Sequence, residues 1–68
     1  MKATTKTGRE IERAAAARFD YAALGIDGAR VFYNPNRRAW MIELDTDPAQ
    51  YFVAERGEDG AFHFEDVT

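Results

Sequence analysis

The chain is 68 residues long with nine basic and twelve acidic side chains, a formal net charge of −3, and no cysteine. A chain this short forms one domain that buries only about 60% of the surface its unfolded form exposes, which leaves little room for a deep catalytic cleft. No disulfide framework or thiolate metal site can reinforce it.

Met1 to Gly8 is polar and threonine-rich, and residues 1–7 are expected to be a flexible tail. It has no apolar core of a secretory leader, and no apolar run is long enough for a membrane span, so a cytoplasmic setting is expected. Thr7-Gly8-Arg9-Glu10 has capping-box spacing, and the alanine-rich segment after it has high helical propensity. A single helix over residues 8–24 is predicted, stopped at Gly25, the residue type best suited to a left-handed C-terminal position. At 100° per residue, Ile11, Ala15, Phe19 and Ala22 share one side and Arg9, Arg13 and Asp20 the other. Arg18 falls inside the apolar stripe, so its stem is expected along the core edge.

Beyond Gly28 the hydrophobic period changes from 3.6 to 2. Ala29 to Tyr33 reads as a strand, Asn34 to Arg37 as a turn, and Ala39 to Leu44 as a second strand with Trp40, Ile42 and Leu44 on one face. After Asp47-Pro48, Tyr51 to Arg56 and Ala61 to Asp66 complete the set. Glu58-Asp59-Gly60 fits a three-residue hairpin loop with glycine at the bulge position. That register puts Phe52 and Ala54 on the face of Phe62 and Phe64. The predicted fold is α+β: one N-terminal helix packed on a four-stranded antiparallel β-meander, with the sheet spanning residues 29–66.

Charge is divided along this order. Residues 1–42 hold eight basic and four acidic side chains, a net of +4, whereas residues 43–68 hold Arg56 against eight acids, a net of −7. With Trp40 and Phe52 facing the helix, Glu43, Asp45, Glu55 and Glu65 project from the opposite face, joined by Tyr51, Val53 and Met41. Carboxylates on an exposed sheet face serve solubility. Mixed with aromatic and apolar groups, they also make a surface for a protein partner with a basic patch. Arg30, Arg37 and Arg38, near Tyr33 and Trp40, form the alternative: a basic hairpin for nucleic acid, as in a small regulatory or antitoxin-like protein. A pI near 5.0 argues against it. A homodimer pairing the basic helix of one copy with the acidic sheet of another is a third arrangement.

Catalysis has few residues to draw on. The chain holds no serine or cysteine, and His63 is its one histidine, so nucleophilic triads are absent. Asp45-Thr46-Asp47 and Glu58-Asp59-Gly60 read as turn chemistry rather than metal loops. No catalytic residue, cofactor or metal is expected.

A cysteine-free acidic domain with one helix and a meander, carrying Glu43, Asp45, Glu55 and Glu65 on an open face, resembles the small anti-CRISPR proteins of phages and mobile elements. The resemblance is one of general character, without a shared motif, and so transfers no residue by position. It implies a stoichiometric inhibitor in the host-cell cytoplasm, whose acidic surface mimics DNA and blocks nucleic-acid binding by a CRISPR effector subunit.

Overall fold

The computed structural model describes residues 5–68. Helix α1 spans Lys6–Arg18, and its N-cap is Thr5, whose hydroxyl accepts from the Gly8 amide at 3.0 Å. Capping therefore occurs two residues before the expected Thr7. The earlier threonine lengthens the helix and takes Gly8 into a buried position in its first turn. Lys6 and Thr7 are helical rather than part of a tail, and residues 1–4 lie outside the described residues.

The predicted single helix is two. α1 ends at Arg18, Phe19 is extended at φ −111° and ψ 139°, and a short α2 covers Tyr21–Leu24. Asp20 caps α2, its carboxylate accepting from the Ala23 amide at 3.1 Å. Aspartate competes poorly inside a helix and well at its start, so the chain breaks where Asp20 can cap. The extended Phe19 sets its ring centroid 5.0 Å from that of Phe52 and 5.6 Å from that of Phe64. This break overturns one expectation: Ala22 is exposed, with Tyr21 and Ile26 packing on the core instead. Arg18 is exposed, with its guanidinium 5.0 Å over the ring of Phe19 at the rim of the core. Gly25 does stop the helical segment, in the left-handed conformation at φ 73°.

Four antiparallel strands follow in meander order: β1 Ala29–Asn34, β2 Ala39–Leu44, β3 Gln50–Arg56 and β4 Phe62–Asp66. Asn34 belongs to β1, paired with Ala39, and its side-chain oxygen accepts from the Asn36 and Arg37 amides to organise the turn Pro35–Arg38. At the β3–β4 hairpin the Gly57 amide donates to the Ala61 carbonyl at 2.8 Å, closing a three-residue loop with Gly60 at φ 82°. The register is the expected one: Ala54 opposes Phe64 and Arg56 opposes Phe62.

The helices cover one sheet face. Ile11, Ala15, Ile42, Leu44, Phe52 and Ala54 form the buried cluster, rimmed by Phe19, Trp40, Phe62 and Phe64 among others. Full burial of a side chain such as Ile42 contributes about 1.5–3 kcal/mol. Arg56, the one basic residue of the acidic segment, ties helix to sheet. Its Nη2 lies 3.0 Å from the Glu10 carboxylate, its Nη1 donates to the Gly60 carbonyl at 2.7 Å, and its guanidinium lies 4.3 Å over the Phe62 ring. Because β1 and β3 run in the same direction, the turn Pro35–Arg38 and the loop at Glu58–Gly60 lie at one end of the sheet.

Candidate protein-binding face

The face opposite the helices is built in rows by the strand register. Arg30, Glu43 and Tyr51 form one row across β1, β2 and β3, and Phe32, Met41, Val53 and Glu65 form the next across all four strands. Glu55 and His63 pair across β3 and β4 beyond them.

The first row is a closed network. Arg30 Nε donates to Glu43 Oε1 at 2.7 Å, and the Tyr51 hydroxyl donates to Glu43 Oε2 at 3.0 Å. The bond from Arg30 first, and then that from Tyr51, holds the Glu43 carboxyl below the usual carboxylate range, and Glu43 in turn raises the Tyr51 phenol. The Arg30 guanidinium also lies 4.3 Å over the Phe32 ring. Beside this row, Gly28, Ala29, Arg30, Glu43 and Asp45 line a shallow recess of about 400 Å³.

The second row is less exposed than a solvent-facing sheet would suggest. Met41 and Val53 are each only 5% exposed, although the helices pack on the other side. The Asn34 side-chain amide reaches the Met41 sulfur at 3.4 Å.

Glu55 and Glu65 are exposed, and neither has an ion-pair partner among the described residues. His63 Nε2 lies 3.1 Å from Asp59, and this bond, followed by one from the Ala61 amide, lowers the Asp59 carboxyl. Both partners are well exposed, at 62% and 60%. The turn Asp45–Asp47 is organised by Thr46, whose hydroxyl donates to the Pro48 carbonyl at 2.9 Å.

The expected site residues therefore divide into three groups. Glu55 and Glu65 lie exposed on the face, with Tyr51 half-buried beside them and Asp45 exposed at the rim of the recess. Glu43 is on the face but already neutralised by Arg30, and Val53 is too buried to serve as an anchor. The alternative basic set is split, because Arg30 sits among the acids at the far end of the sheet from Arg37 and Arg38. Its strand register, fixed by the four-residue turn after Asn34, puts it opposite Glu43. Of the residues on this face, Phe32 escaped sequence reasoning, and Arg30 reads in the sequence as part of the basic hairpin instead. Their alternation with Val31 carried the signal, readable once the first hairpin's register is known.

No family model matches the chain, nor does any curated protein or solved structure.

Proposed function

We propose that this protein is a small non-catalytic binding protein that docks its open sheet face against a basic surface of another protein. The observation that carries this reading is the make-up of that face: half-buried Phe32 on β1 and Tyr51 on β3 share it with Glu55 and Glu65, whose charges are unpaired among the described residues. Aromatic groups supply contact area that buries cheaply, while unpaired carboxylates select lysine and arginine and speed encounter. Glu43, held by Arg30 and Tyr51, fixes the shape of the face rather than its charge.

In the narrower form, the partner is the nucleic-acid groove of a CRISPR effector, and Glu55, Glu65 and Asp45 stand where phosphates would lie. What supports this form is the acidic, open character of the face. The test is DNA binding by a panel of purified effectors, with wild-type protein and a Glu55→Lys, Glu65→Lys variant added in stoichiometric amounts. Wild type is expected to inhibit at least one effector, and the folded double variant to lose at least about ten-fold in potency. Equal inhibition by both proteins would remove the face from the contact. No inhibition of any effector by wild type would withdraw the narrower form.

A further inference from the structure

The end of the sheet carries a charge pattern that neither the core nor the open face uses. Arg37 and Arg38 are exposed at the β1–β2 tip, and Glu58 and Asp59 are exposed at the β3–β4 tip beside it. None of Arg37, Arg38 and Glu58 has an ion-pair partner among the described residues, and Asp59 keeps one with His63. Tyr33, 49% exposed, stands next to the basic tip with its ring edge-on to Trp40 at 5.6 Å. Polyanionic nucleic acid fits this end poorly, because the acidic tip is next to the basic one. A partner carrying the same two tips in reversed order fits it well.

We infer that two copies of this chain associate tip to tip about a two-fold axis along the sheet normal, each basic tip meeting the other's acidic tip. The axis direction follows from the charges. A two-fold lying in the sheet plane across the strand ends would set Arg37 and Arg38 against their own counterparts and Glu58 against its own, so both contacts would repel. A two-fold along the normal makes both contacts attractive, and it closes the assembly at two, as an isologous interface must. Two hairpin tips and a tyrosine bury less than the roughly 1,200 Å² that marks the low end of stable interfaces, so the dimer is weak, reversible and salt-sensitive. The same axis leaves both open sheet faces on one side of the pair. A partner presenting two basic patches would then be held at two points, with the gain in avidity that linked contacts provide.

Sedimentation equilibrium at high protein concentration tests this, at about 20 mM and about 0.5 M salt. Wild type is expected to show a monomer–dimer equilibrium that weakens at least ten-fold across that range. Two variants then probe the tips. One carries Arg37→Glu with Arg38→Asp, since Arg38 has φ 54° and aspartate tolerates that region better than most residues. The other carries Glu58→Arg with Asp59→Asn, which keeps an oxygen for the Ala61 amide. Each variant, shown to be folded by circular dichroism, should be monomeric alone, and the two mixed should associate as a heterodimer. A wild type that stays monomeric at low salt, a dimer indifferent to salt, or folded variants that fail to pair on mixing would each overturn the inference.

Discussion

The two faces of the sheet bury apolar side chains by different means. On the helix side, Ile42 and Leu44 are sealed by a second layer, with Ile11 and Ala15 pressed against them. On the open side, Met41 and Val53 reach 5% exposure with no helix over them, beside a row in which Arg30, Glu43 and Tyr51 hold one another by hydrogen bonds. The first face is closed by packing, which is non-directional and close to volume-filling. The second carries a polar row alongside, whose geometry can be lost one bond at a time. A domain of this size has one helical layer to spend, and the open face shows how the other side of a sheet can exclude water without one.

The largest expected effect lies on the packed side. Ile42→Ala should cost about 2–5 kcal/mol, enough to unfold much of a small domain, read from the urea midpoint. Val53→Ala on the open side should cost about 1–2 kcal/mol, because fewer methyl groups are lost and long side chains can settle into the gap. If the second loss matched the first, the open face would have to be sealed in solution as firmly as the core, and the contrast would fail.

A smaller effect separates the faces by pH. Glu43 has a folded-state pKa below its unfolded value, so its pair contributes stability that is fully present above the ordinary carboxylate range. That contribution is lost as pH falls through the depressed folded value. Glu43→Gln should therefore lower the melting temperature slightly near neutral pH, and the variant and wild type should converge on acidification. Asp59 and Asp66, also depressed, keep part of the acid slope in both proteins. A constant difference between the two proteins from pH 7 to about 2 would mean that Glu43 acts without its charge.

Much of the architecture was readable because it rests on local rules. The alternation through Trp40, Ile42 and Leu44 gave the core face of β2, and Gly60 gave the loop length that sets the β3–β4 register. The helix break was only half readable: Asp20 is a local capping signal, but the extended Phe19 is held by Phe52 and Phe64, which are more than thirty residues away. The acidic face was legible in outline only. Which carboxylates stay free depends on cross-strand partners, and Arg30 reaches Glu43 only through a register set by Asn34 joining β1.

Trp40 is the only tryptophan in the chain, and it lies half-buried at the β1–β2 tip with Tyr33 against it. Intrinsic emission is therefore a local gauge. It follows the environment of one corner of the sheet, whereas far-ultraviolet dichroism follows helix and strands together. If the corner frays before the core, the two optical curves will separate during denaturation, and a two-state fit to either alone would misstate the stability.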